Sequence, residues 1–268
     1  MDAHPYNECM SATITAYPGA QSVSRALAVL KSFSDAQPEW QPNELAEAIG
    51  LNISTTYRLL ATLEREGLLT RRSDTRSYRL GPEMIALGGC ALRSNNLRSV
   101  ARPILQDLAQ NTGEAATLEV LAGGRVIVVD ETSGQHVVGM SQDVGTRLPA
   151  HATSTGKVLL AFAHADSLGA ALSSPLEAIT DQTVTNVSVL MKQLAEIRQR
   201  GYAVTSGELE DNFVAIAAPV FNYENDAIAA LSVGGPNTRF SSQRVRAIVP
   251  ELTGAARQIS ADLGHRPE

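Results

Sequence analysis

Along residues 22–33 the apolar positions Val23, Ala26, Leu27, Leu30 and Phe33 return every three to four residues, the spacing of one helix face. A short helix over residues 43–48 is stopped by Gly50, and another opens at residues 52–54, where Asn52 and Ser54 offer short polar side chains to its first free N–H groups. On this helix Tyr57, Leu60 and Leu63 form a packing stripe with Leu59 beside it, which leaves Ser54, Thr55 and Arg58 on another face. Two helices joined by a short turn containing glycine make a helix-turn-helix. Gly67 ends the second of them, and residues 68–80 read as two short strands around a polar turn, so the module is winged.

The pattern shifts after Gly81-Pro82. Residues 83–96 resume a helical spacing through Met84, Ile85, Leu87 and Leu92, interrupted by Gly88-Gly89. Each glycine weakens a helix by about 1 kcal/mol relative to alanine. The pair reads either as a soft point in a linker or as a close-packing contact in an ordinary helix. Residues 97–110 form an amphipathic helix (Val100, Ile104, Leu105, Leu108), followed by β-rich runs at 115–121, 125–131 and 135–141 split by Ala122-Gly123-Gly124 and Ser133-Gly134, two of which make a hairpin. Helices over 153–164 and 188–200, strands at 213–221 and 227–233, and a closing helix at 241–263 interrupted near Pro250 complete the chain. The predicted organisation is a flexible tail (1–20), a winged helix-turn-helix (21–82), a linker helix (83–96) and a mixed α+β domain (97–268).

Composition narrows the partners. With 44% hydrophobic residues, a mean hydropathy of -0.06 and a net charge of -6, the chain is an ordinary globule and not a polycation. Any grip on nucleic acid must come from a local basic surface. Arg58, Arg65, Arg71, Arg72, Arg76 and Arg79 supply one, against Glu64, Glu66 and Asp74 in the same stretch. Small hydroxyls at a helix start suit base edges and arginines on a hairpin suit phosphates. The candidate DNA contacts are therefore Ser54, Thr55, Tyr57, Arg58, Arg71, Arg72 and Arg76 on double-stranded DNA; a protein-binding winged helix is the other reading. Cys9 and Cys90 indicate neither a disulfide framework nor a thiolate metal site, and the five histidines show no ligand spacing, so neither metal nor cofactor is expected. A secretory leader and an apolar run of about 18 residues are both missing from the pattern, which predicts a cytoplasmic protein with no membrane association.

Residues 146–157, TRLPAHATSTGK, hold the chemistry worth weighing. Gly156-Lys157 resembles the end of a phosphate loop, but His151 stands where its first glycine belongs and Val158 where its Ser or Thr belongs. Ser154 and Lys157 fit the S-x-x-K spacing of penicillin-recognising enzymes, without the tripeptides that accompany it. A hydrolase or acyl-transfer enzyme working on a small acid or ester through Ser154 and Lys157, or Glu208, is the rival reading. Thr153, Ser154 and Thr155 also open a helix, where free N–H groups suit a carboxylate, unless they are a plain cap. The acidic run 208–211 reads as a solvated turn or as paired carboxylates.

Three segments together resemble the IclR family of bacterial transcriptional regulators: Ser54-x-x-x-Arg58-Leu59-Leu60-x-Thr62-Leu63, residues 148–157, and the run from Gly201-Tyr202 through Glu208 and Ala217-Ala218-Pro219-Val220 to Gly234-Gly235-Pro236. The resemblance implies a GAF-like effector domain, binding rather than turnover of small carboxylic or aromatic acids, and homodimers or tetramers paired through the DNA-binding modules. It places Ser154, Thr155, Thr205, Ala215, Ser232 and Gly234 around the effector. Two departures stand out. Asn212 replaces a usual glycine, in a turn that asparagine tolerates. Gly234 replaces a common pocket serine beside the small Ala215, which predicts a roomier, less polar pocket and a bulkier, aromatic acid. Effector binding is expected to act on operator affinity through residues 83–96, with half-sites about 34 Å apart or a multiple of it.

Overall fold

The computed structural model describes residues 20–94, 96–135, 143–172 and 175–266, and divides into one unit ending at Ser94 and another beginning at Asn95. In the first unit, α1 (Gln21–Lys31), β1 (Glu39–Trp40), α2 (Pro42–Ala48), α3 (Ile53–Arg65), β2 (Leu69–Arg71), β3 (Tyr78–Leu80) and α4 (Pro82–Ser94) follow in order. The wing is a three-stranded antiparallel sheet ordered β1-β3-β2. Its outer strand β1 is two residues long, too short to leave a periodic trace in the sequence.

Val29, Leu45, Leu60, Leu63, Leu69 and Tyr78 make the core of this unit. Two sequence expectations shift by a fraction of a turn. The buried face of α1 centres on Val29, with Ala26, Leu30 and Phe33 at its edge, so Val23 and Leu27 lie exposed. On α3 the inward set is Thr56, Leu60 and Leu63, an i, i+4, i+7 series, and Tyr57 is left 47% exposed.

The second unit contains α5 (Asn96–Thr112), β4 (Ala115–Ala122), β5 (Arg125–Thr132), β6 (Arg147–Pro149), a single 3-10 turn (Ala150–Ala152), α6 (Ser154–Phe162), α7 (Ala165–Ala171), α8 (Val187–Arg200), β7 (Ala203–Ser206), β8 (Phe213–Phe221), β9 (Ala227–Pro236) and α9 (Ser242–Asp262). Its six strands pair antiparallel in the order β6-β5-β4-β9-β8-β7. Most of the strand expected at 135–141 lies outside the described residues. The helix predicted to break at Pro250 runs on through it: Pro250 and Arg246, whose carbonyl it leaves without an amide, are both exposed.

Strand alternation sorts the sheet into two faces. Ala116, Leu118, Val214, Ile216, Ala218, Leu231 and Val233 point to α5 and α9, meeting Leu105, Leu108, Leu252 and Ile259. On the other face, Val126, Ala203, Ala217 and Ala230 meet Leu159, Leu160, Leu190, Leu194 and Ile197 of α6 and α8. Residues in register with that second set therefore face α6, and among them are Thr117, Glu119, Thr205, Ala215, Ser232 and Gly234.

Candidate functional site

At the head of α3, the Asn52 side chain accepts the Thr55 N–H at 2.8 Å, so Asn52 is the cap and the polar residues behind it begin the helix proper. Ser54, Tyr57 and Arg58 are exposed and Thr55 is half-buried. Helix α3 ends at Gly67, whose φ of 72° returns the chain into the wing. Arg71 and Arg79 are exposed there, Arg71 5.9 Å from the centre of the Tyr78 ring, and Arg76 sits in the turn with a φ of 60°.

Arg72 departs from the others. Its guanidinium grips both Asp74 oxygens, at 3.0 and 2.7 Å, and Glu39 at 2.9 Å. These contacts raise the guanidinium's pKa and hold the Asp74 carboxyl well below the usual carboxylate range, while Glu39 is lowered by Ser77 and then by Arg72. Its charge is spent inside the wing, fastening the turn to β1. Arg72→Ala is therefore expected to speed amide hydrogen exchange across residues 72–77 of the free protein, before DNA is added; unchanged exchange there would leave Arg72 as open as its neighbours.

The second unit holds a partly open cavity of about 40 Å³ between the sheet and the start of α6. Register explains its walls. Thr205, Ala215, Gly234 and Ala115 stand side by side across β7, β8, β9 and β4, with Thr117 and Ser232 in the next row. Above them, Thr153 caps α6 by accepting the Gly156 N–H at 3.0 Å. The amides of Ser154 and Thr155 thus open the helix with no carbonyl inside it to receive them. All six residues carried over by resemblance, Ser154, Thr155, Thr205, Ala215, Ser232 and Gly234, line this one cavity.

Sequence reasoning missed the buried acid in the lining. Glu119 lies beneath Thr155, whose hydroxyl donates to it at 2.6 Å. The only trace of it in the sequence is the polar pair Thr117 and Glu119 alternating with Ala116 and Leu118 in a strand covered on both faces. The expected roominess at Gly234 is overturned: a Cβ there would lie 2.8 Å from the Phe213 ring. The space vacated by a side chain is filled by that ring. The cavity as it stands has room for about three waters, at roughly 10–15 Å³ each.

Nor is the run at residues 208–211 a wholly solvated turn. Glu208 is buried, and both its oxygens accept from Lys157 Nζ, at 2.5 and 2.6 Å, while Gln193 accepts a third proton at 2.8 Å. Burial pushes the Lys157 ammonium down from its ordinary pKa and the Glu208 carboxylate holds it up. A lysine so engaged is no base for Ser154, which removes the S-x-x-K chemistry. Among the described histidines, His151 meets the Glu177 carbonyl at 2.8 Å, His164 pairs with Asp226 and His265 stacks on Phe221; His4 and His136 lie outside the described residues. No cluster fit for a metal occurs among the described residues, and no helix there is long and apolar enough to cross a membrane.

Two family models match the chain: the IclR helix-turn-helix domain over residues 22–73 and the bacterial transcriptional regulator IclR C-terminal domain over residues 89–261. The HTH-type transcriptional regulator XynR of Escherichia coli is 32% identical across 92% of this chain and 99% of its own. A crystal structure of an IclR transcriptional regulator from Silicibacter sp. TM1040 superposes with a TM-score of 0.84 at 29% identity, over 92% of this chain and 98% of that one. An IclR homologue from Microbacterium hydrocarbonoxydans, crystallised with 4-hydroxybenzoate, is 30% identical with a TM-score of 0.73, over 91% and 99% of the two chains. With its helix-turn-helix and its cavity both inside these matches, the chain belongs to the IclR family of bacterial transcriptional regulators, as a DNA-binding, ligand-responsive protein and not an enzyme.

Proposed function

We propose that this regulator controls a catabolic operon by sensing a small organic acid of the aromatic class in the cavity beneath α6, and that acid binding changes its affinity for operator DNA. The observation that carries the reading is the convergence of Thr155, Thr205 and Ser232 with the start of α6, whose first amides have no carbonyl inside the helix to receive them, on one cavity. Oriented N–H groups at a helix start favour a negative ligand. The relative crystallised with 4-hydroxybenzoate makes a hydroxylated aromatic acid the first compound to try.

On the DNA side, Ser54, Thr55, Tyr57 and Arg58 face the bases from α3, and Arg71, Arg76 and Arg79 meet phosphates. Two copies act together on a roughly palindromic operator. The exposed Val23 and Leu27 on α1, and Ile85 on α4 at 79% exposure, are apolar surface available to such a pairing, as a dimer or tetramer. The acid must bind one DNA-binding state better than the other to act as a signal.

A thermal-shift screen of organic acids, followed by anisotropy on DNA from upstream of the neighbouring genes, tests this directly. An acid that raises the melting temperature, is recovered unchanged and alters DNA affinity is the expected result; consumption of the acid would reinstate an enzyme. Phe213→Ala, by clearing the ring from the Gly234 side, is expected to enlarge the thermal shift with 4-hydroxybenzoate and leave that with pyruvate unchanged. Equal change with both would remove Phe213 from the size limit.

A further inference from the structure

The floor of the cavity is built around a carboxyl group. Glu119 is 3% exposed, its Oε1 accepting from Thr117 Oγ1 at 2.8 Å and its Oε2 from Thr155 Oγ1 at 2.6 Å. Thr117 Oγ1 lies 2.8 Å from Ser232 Oγ. Each hydroxyl has one proton to give. With the Thr117 and Thr155 protons turned toward an ionised Glu119, Ser232 must donate to Thr117, and Thr155 and Ser232 show the cavity only lone pairs. On this floor a carboxylate ligand, itself only an acceptor, then meets acceptors and a buried like charge.

One proton on Glu119 reverses one arm of the array. The carboxylic acid donates to Thr155, which turns its own proton to the cavity, or to Thr117, which passes the same reversal to Ser232. Either way one of the two hydroxyls that face the cavity, Thr155 or Ser232, becomes a donor to it. The other charged side chains that line the cavity are acidic, Glu131 from β5 and Glu208 and Glu210 from the segment between β7 and β8, and Lys157 of α6 is held by Glu208, so the amides at the start of α6 are what a carboxylate meets opposite this floor. Burial raises the Glu119 carboxyl above its ordinary range, against the two hydroxyl bonds that lower it.

We propose that Glu119 is the specificity-determining residue of this pocket, setting the direction of the Thr117, Thr155 and Ser232 hydroxyls so that a carboxylate ligand is held only together with one proton on Glu119. This role rests on the acid-sensing reading of the same pocket. The proton comes from solvent and returns there when the ligand leaves; no bond of the ligand is broken.

Infrared titration of the full chain tests the proton without any ligand. The expected result is a carboxylic-acid C=O stretch that survives above the ordinary carboxylate range, disappears as the pH is raised further, and is missing in Glu119→Gln. If that variant does not fold, Thr155→Val, which deletes one hydrogen bond to the ionised form, should move the band's midpoint to higher pH. A band already lost by about pH 6 means an ionised, acceptor floor suited to hydroxyl or amine ligands, and overturns the proposal. Calorimetry with 4-hydroxybenzoate then reads the coupling: above the band's midpoint the Kd should rise toward tenfold per pH unit in the wild type and stay level in Glu119→Gln. A level wild-type profile across that midpoint also overturns it. If no small acid binds at any pH while the band titrates as expected, the acid-sensing reading fails, the ligand half of the proposal falls with it, and the proton on Glu119 stands.

Discussion

Glu208→Ala is expected to lower the unfolding free energy by about 3–5 kcal/mol, the cost of leaving a buried charge without its partner. The partner is Lys157, 2% exposed, whose ammonium has Glu208 and Gln193 as its acceptors. Removing the carboxylate strands that ammonium under α6 or forces it to lose its proton. Urea unfolding at constant m value gives the number. The pair matters for itself less than for what it fixes: the Glu208 backbone carbonyl accepts from Thr183 Oγ1 at 2.7 Å, and Gly207's from Thr180 Oγ1 at 2.6 Å, so one ion pair clamps the segment leading into β8 against α6. Replacing both partners by apolar residues, Lys157→Met with Glu208→Leu, should recover most of the stability, because a buried pair costs nearly as much desolvation as it returns. A double variant as unstable as Glu208→Ala would show that the loss lies in the packing around the pair and not in its charge.

Much of the architecture was open to reading because its signals are local. Asn52 as a cap and Gly67 and Gly201 as helix ends in the left-handed region are each decided by a few adjacent residues and stand where expected, and of the three β-rich runs the two that flank Gly123-Gly124 are the ones that pair as a hairpin. Asn212 adopts a φ of 61°, as its place in a glycine-like turn requires. What escaped depends on tertiary contact. A two-residue strand such as β1 exists only through its pairing with β3, and Tyr57 leaves the packing stripe because Thr56 is the residue α3 turns inward. The pocket divides the same way. Its six expected positions came from resemblance, whereas Glu119 is one acid in a strand until β9 and α6 are brought against it. Gly234 was misread for a related reason: an absent side chain opens space only if no neighbour such as Phe213 takes it.

Arg58→Ala is expected to cost about 1–3 kcal/mol on operator DNA and far less on random duplex. The expectation follows from position. Arg58 follows the capped first turn of α3, is exposed, and shares a face with Ser54 and Thr55, the end of a recognition helix that reaches base edges. An arginine there has two donors for the O6 and N7 of a guanine, and a missing bidentate contact is felt only where that base is present. Arg79, exposed on β3, provides the contrast: Arg79→Ala should weaken operator and random DNA alike and reduce the steepness of the salt dependence by about one ion. Anisotropy titrations of both variants at several salt concentrations, on operator and on scrambled sequence, separate the two roles. Equal losses on both duplexes for Arg58→Ala would make it a phosphate contact, and sequence recognition by α3 would then fall to Ser54, Thr55 and Tyr57.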